Sequence, residues 1–148
     1  MRALPASLLL AAVLLPGCGV ARPAGWSETR ARLAAARYPE PAAADAERGA
    51  PLRVDVVRDG GSLYLINREP RRLDGARLWL NQQWAGDLER VPIGPGAWIP
   101  LDRFINRHGE PFPRGRFLRP DLAKPLILAE LVPAGSATLR PLTVIPED

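Results

Sequence analysis

From Leu52 to Ile145, apolar and polar residues alternate in short runs, with turn-forming residues between them. A period of two sends successive side chains to opposite faces of an extended chain, so each run reads as a strand with one buried face. Leu52, Val54 and Val56 alternate with Arg53 and Asp55 and predict the first strand. Arg58–Ser62 (RDGGS) is a hairpin signal, because glycine reaches positive φ without a steric penalty. Leu63–Asn67 (LYLIN) and Ala76–Asn81 (ARLWLN) predict the second and third strands, with the polar stretch REPRRLDG between them as a loop. Asn81, Gln82 and Gln83 predict a tight turn into a short return strand, Trp84–Gly86. Ala97–Leu101, Pro125–Val132 and Ala137–Ile145 complete a set of seven, and Pro141 assigns the last to a sheet edge or a bulge. Leu63, Leu65, Leu78, Leu80, Ile99 and Leu101 share one alternation phase and are the expected core.

Short strands at this spacing, with no long helices between them, predict an all-β fold: a small antiparallel β-sandwich occupying residues 51–148. The strand pattern resembles that of the immunoglobulin-like accessory domains of bacterial envelope lipoproteins. The chain lacks the Cys–Trp–Cys signature of antibody domains, so the resemblance implies only the architecture.

The N-terminal third has a different texture. Met1-Arg2 is followed by Ala3–Leu15, an uncharged run of 13 residues rich in Leu, Ala and Val. A membrane-spanning helix needs about 20. A positive start, a short apolar segment and then small residues describe a secretory signal segment. The stretch Leu15-Pro16-Gly17-Cys18 resembles the lipobox of bacterial lipoproteins. That resemblance implies cleavage after residue 17 and a diacylglyceryl group on Cys18, the only cysteine of the chain. A lone cysteine cannot form an intramolecular disulfide, and two or three acyl chains anchor a protein where one does not. The resemblance also implies a cell-envelope location. Gly19, where Asp would favour inner-membrane retention, points to the outer membrane facing the periplasm if the host has two membranes.

Residues 18–50 read as a tether. Ser27–Arg37 (SETRARLAAAR) predicts a short helix with Ser27 as N-cap and Glu28 at its positive end. Leu33 is its one large interior apolar residue, and Trp26 and Tyr38 border it, so the helix has the means to dock on the sandwich.

Charge excludes one class of partner. The formal net charge is +4, and all but one of the 20 basic residues are arginine. They are interspersed with acids and form no basic stripe, so nucleic acid is not an expected partner.

Chemistry-bearing residues are sparse. One histidine and one cysteine do not supply the three or four ligands of a zinc site, so no metal or cofactor is expected. The serines beyond the signal segment (Ser27, Ser62 and Ser136) lie in tether or turn contexts, and none sits in a Gly-x-Ser-x-Gly elbow. No catalytic residue is assigned, and a small hydrolase ranks last among the functional readings. The segment Phe104–Phe117 (FINRHGEPFPRGRF) holds His108 beside Arg107, Asn106 and Glu110. It reads either as a binding loop or, preferentially, as a crossover pinned by Phe104, Phe112 and Phe117.

The strand aromatics are the sharpest candidates. Tyr64, Trp79 and Trp98 occupy the phase opposite to the core set. If their strands share a sheet, they form an outward platform, with Arg77 and Asn81 beside Trp79. The favoured alternative covers them with the tether or the long 104–117 loop, Trp26 or Tyr38 packing against them. The expected function is therefore a lipid-anchored, non-catalytic binding or assembly module with an envelope protein partner. Its candidate contact residues are Tyr64, Trp79, Trp98 and His108. The alternative is a glycan- or peptidoglycan-binding module using the same aromatics.

Overall fold

A computed structural model describes residues 28–39, 48–116 and 119–146, without the side chains of residues 97 and 115–122. The expected signal segment 1–17, the anchor Cys18, Trp26, the N-cap Ser27 and Phe117 lie outside the described residues.

The protein is an all-β sandwich. Strands β1 (Val54–Asp59), β2 (Ser62–Asn67), β5 (Gly94–Pro100) and β10 (Thr143–Ile145) form one sheet in the order β10-β1-β2-β5. Strands β3 (Leu73–Leu80), β4 (Trp84–Val91), β8 (Ala129–Val132) and β9 (Arg140–Pro141) form the other, in the order β4-β3-β8-β9. A ribbon of β6 (Arg114–Arg116) and β7 (Arg119–Ala123) stands apart. Every named pairing is antiparallel except β1 with β10, which is parallel.

The core follows the alternation. Leu63, Leu65, Leu78, Leu80, Ile99 and Leu101 are all buried between the sheets, joined by Val54, Val56, Trp84, Phe104, Phe112 and Leu131. Asp59 pairs with Ser62 around Gly60 and Gly61, and Gly60 has φ 53°, so the first hairpin closes on two residues. The second hairpin turns through Asn81 (φ 47°) and Gln82 (φ 61°). Asn81 tolerates this conformation because its side chain is satisfied there. Its Nδ2 donates to the Pro125 carbonyl at 2.8 Å, and its Oδ1 accepts from the Ile127 and Leu128 amides at 3.0 and 3.1 Å. The turn residue thereby fixes the entry to β8.

Several boundaries differ from the sequence pattern, among them β5, which begins at Gly94 rather than Ala97, and β8, which begins at Ala129 rather than Pro125. β3 starts at Leu73 and β4 continues to Val91, because Leu73 and Val91 pair across the hairpin and bury their side chains. Gly75 (φ 62°) and exposed Asp74 interrupt the alternation there and disguise the strand as loop. The expected last strand splits at Pro141. β9 ends the second sheet, buried Leu142 donates its amide to Ala129, and β10 crosses to the first sheet. The β6–β7 ribbon occupies what reads as loop, since its Arg- and Pro-rich strands carry no apolar alternation.

Part of the expected tether belongs to the sandwich. Helix α1 (Glu28–Ala35) lies against the outer face of the second sheet with Leu33 buried. The Gly49 amide donates to the Leu139 carbonyl at 2.9 Å, and Arg140 Nε donates to the Ala50 carbonyl at 2.9 Å. An isolated helix of eight residues is marginal in water. Burial of Leu33, worth about 1.5–3 kcal/mol, is what holds it.

Candidate functional site

The structure separates the four aromatic and histidine candidates into two pairs on opposite sides of the sandwich. Tyr64 and Trp98 are direct cross-strand partners in the first sheet, with ring centroids 4.8 Å apart and ring planes tilted by 32°. Register extends the pair in the other direction: Tyr64 faces Val57, and Val57 faces Ile145. One row, Ile145–Val57–Tyr64–Trp98, thus crosses all four strands on the outer face. Trp98 keeps 57% of its surface exposed and Ile145 39%. Large apolar groups this open are the informative exception on a folded surface. The neighbouring positions toward Asp55 are charged and mutually paired: Arg68 Nε lies 2.6 Å from Asp55 Oδ2, and Arg53 Nε lies 3.9 Å from Glu69 Oε1.

Trp79 is not part of this row. It lies on β3 in the other sheet, 3% exposed, beneath α1 and the segment that follows it. Tyr38 packs edge-on against it at 5.5 Å, beside Leu33, Ala85, Ile105 and Leu139. Shared alternation phase places residues on equivalent strand faces but does not place the strands in one sheet, so a three-ring platform does not form. Arg77 stays near Trp79 and pairs with Asp87 at 2.7 Å. Asn81 turns instead to the strand-entry bonds described above.

A clasp holds the tether over Trp79. Glu130 is buried at 1% exposure on the same face of β8. The Tyr38 hydroxyl donates to its Oε2 at 2.5 Å, and Arg48 Nε approaches its Oε1 at 3.3 Å, in ion-pair rather than hydrogen-bond geometry. Burial raises the Tyr38 phenol above its ordinary pKa, and the hydrogen bond to Glu130 raises it further. The hydrogen bond with Tyr38 and then the charge of Glu130 raise Arg48 as well.

His108 is exposed, on a loop whose backbone is over-determined. Phe104 and Phe112 are fully buried at its two ends. Asn106 Oδ1 accepts from the His108 and Glu110 amides, both at 2.9 Å, and Asn106 Nδ2 donates to Glu110 at 2.9 Å. Ile105 bridges Ala85 on one side and Pro111 on the other. The loop borders a cleft of about 620 Å³ that Trp79 also lines, so these two candidates share it.

Sequence reasoning missed Val57, Ile145, Arg48 and Glu130, and the bond from Tyr38 to Glu130. The adjacent Val56-Val57 pair carried a signal for the first of these, since two neighbouring apolar residues in a strand must occupy both faces. Nothing local marks Glu130 as buried.

Among the described residues no three His, Cys, Asp or Glu side chains gather as a metal site, and no helix is long and apolar enough to cross a membrane. No protein-family model matches the chain, and no curated protein or solved structure matches it.

Proposed function

We propose that this protein is a lipid-anchored envelope protein, attached through Cys18, whose sandwich is a non-catalytic docking module for a protein partner. The observation that carries the reading is the outer-face row Ile145–Val57–Tyr64–Trp98, exposed at its two ends. Aromatic and aliphatic side chains rimmed by paired charges have the composition of an interface centre. The lipobox resemblance supports the anchor. Docking of α1 on the opposite sheet supports the orientation, because it shortens the free tether. From Cys18 to Glu28 the chain spans at most about 35 Å, against roughly 115 Å if all of it to Pro51 were free. The sandwich is thereby held near the membrane, with the Trp98 face on the side away from the docked helix.

Two measurements test the two halves. The intact mass of protein purified from membranes is expected to equal residues 18–148 plus a diacylglyceryl group, and a Cys18→Ala chain is expected to leave the membrane fraction. A photo-crosslinking residue at position 98 is expected to give a discrete protein adduct in membranes, with none from position 89 on the other sheet. An unmodified soluble mass sinks the anchor. Co-sedimentation with peptidoglycan that is lost in Trp98→Ala, with no protein adduct, replaces the protein partner by a glycan.

A further inference from the structure

The cleft beside His108 opens between the C-terminal end of α1, the β3–β4 turn and the 104–112 loop. Its wall carries Arg37, Arg107 and His108 together with the carboxamides of Gln82, Gln83 and Asn106, and among the described residues no aspartate or glutamate lines it. The two other clefts that border α1 are different: each holds arginines, but Asp87 lines both, with Glu89 in one and Asp102 in the other.

Arg37 also lines the cleft that holds Asp87 and Glu89, but among the described residues those acids pair with other arginines or with none, Asp87 with Arg32 and Arg77. Eight arginines, at positions 32, 48, 53, 68, 72, 77, 90 and 114, meet carboxylates. Among the described residues Arg37 bonds only to the backbone carbonyls of Ala34, Ala35 and Ala36, at 3.2–3.5 Å, through Nη1. Arg107 donates through Nε to His108 Nε2 at 3.0 Å. A guanidinium has five N–H donors in a planar fork matched to a carboxylate, so both side chains retain donors facing the cleft. The same lining includes the apolar side chains of Leu33, Ala36 and Trp79. Cationic and apolar groups lining one cleft suit a small molecule with one carboxylate and a short carbon body.

We propose that this cleft binds a small organic carboxylate. Arg37 and Arg107 take the carboxylate, and the carboxamides of Gln82 and Gln83 take its neutral polar groups. The site is separate from the Trp98 face and stands whether or not that face docks a protein. Two sources present this chemistry, a carboxylated sugar and a peptide C-terminus.

The test uses the full-length protein in detergent micelles, titrated with N-acetylmuramic acid, with acetyl-Ala-Ala and with the neutral amide of each. The readout is the indole N–H resonance of Trp79 and the ring resonances of His108. One acid is expected to give saturable shifts at both residues, and which acid does so identifies the source. Its amide is expected to bind at least tenfold more weakly, about 1.4 kcal/mol. Arg107→Gln is expected to weaken the acid by a similar factor. This residue is exposed and caps no helix, so its thermal midpoint should match the unaltered protein and the variant reports binding alone. Arg37→Gln is expected to add to the loss. Equal binding of acid and amide overturns the proposal. So does unchanged affinity in Arg107→Gln, and so does the failure of both acids to produce saturable shifts at millimolar concentration.

Discussion

Trp79 and Trp98 occupy the same alternation phase of two strands and have opposite fates. The first lies under a helix and a tyrosine ring at 3% exposure, and the second keeps 57% of its surface in solvent. Removing a buried indole leaves a cavity that the neighbours fill only in part. Trp79→Ala is therefore expected to lose about 3–5 kcal/mol of stability, whereas Trp98→Ala is expected to stay within about 0.5 kcal/mol of the unaltered protein. Paired denaturant titrations check both numbers. Equal losses would mean that Trp98 is also a core residue and would remove the docking face. The single residues also show how far local sequence reads. The Gly60-Gly61 turn was legible because only glycine fits it cheaply, but the double use of Asn81, as a turn residue and as an anchor for residues 125–128, was not. Its three partners lie more than forty positions away in sequence.

At the scale of the element, the docked tether depends on Leu33 and on the Tyr38–Glu130–Arg48 clasp. The clasp is pH-dependent through Tyr38. Its folded pKa lies above the ordinary tyrosine value of about 10. Its contribution is therefore complete below pH ~10 and is lost as the pH rises through the higher folded value. Amide exchange in α1 is expected to accelerate in that alkaline window, while exchange in β2 and β3 stays slow. Tyr38→Phe removes the titrating hydroxyl, so its α1 amides are expected to exchange faster near neutral pH and to show no further alkaline transition of this origin. An alkaline transition persisting in Tyr38→Phe would assign the pH dependence to another group. The helix itself was visible in SETRARLAAAR, and its single large apolar residue is the one that is buried. The clasp was not visible, because Glu130 sits in an alternating strand where a charged residue reads as solvent-facing. Only the tether laid over that face makes it interior.

Across the molecule, among the described residues, the sheet edges are guarded and the outer face of the first sheet keeps Trp98 exposed. Pro95 and Pro100 lie on β5, the last strand of the first sheet, and Pro141 lies on β9, the last strand of the second. Pro146 follows β10. Proline lacks the amide donor that an added strand would need, so these edges resist extension by another chain. The fourth edge, on β4, is met by the Ala85–Ile105 bridge. The proposed contact through Trp98 is thereby separated from aggregation through the edges. Replacing Pro95 and Pro100 by threonine is expected to leave the circular dichroism of the fold in place and to increase self-association in sedimentation velocity. A monomeric double variant would show that β5 is protected by something other than proline.

The alternation of residues 52–145 by itself determined that the protein is all-β, where its first hairpin turns and which six aliphatic side chains begin the core. These are local properties: a period of two and a glycine turn act over a few residues, and burial of one strand face follows from them. Local pattern does not state which strands are neighbours. Only the tertiary structure decided that β2 and β5 share a sheet while β3 belongs to the other, and so separated Tyr64 and Trp98 from Trp79. It also decided that the described part of the tether, α1 and Tyr38, covers the second sheet, and that among the described residues two arginines without a carboxylate partner line one cleft. Each of these depends on strand order and on contacts between segments distant in sequence, where the energy of burial and pairing is settled by what the fold brings together rather than by what is adjacent in the chain.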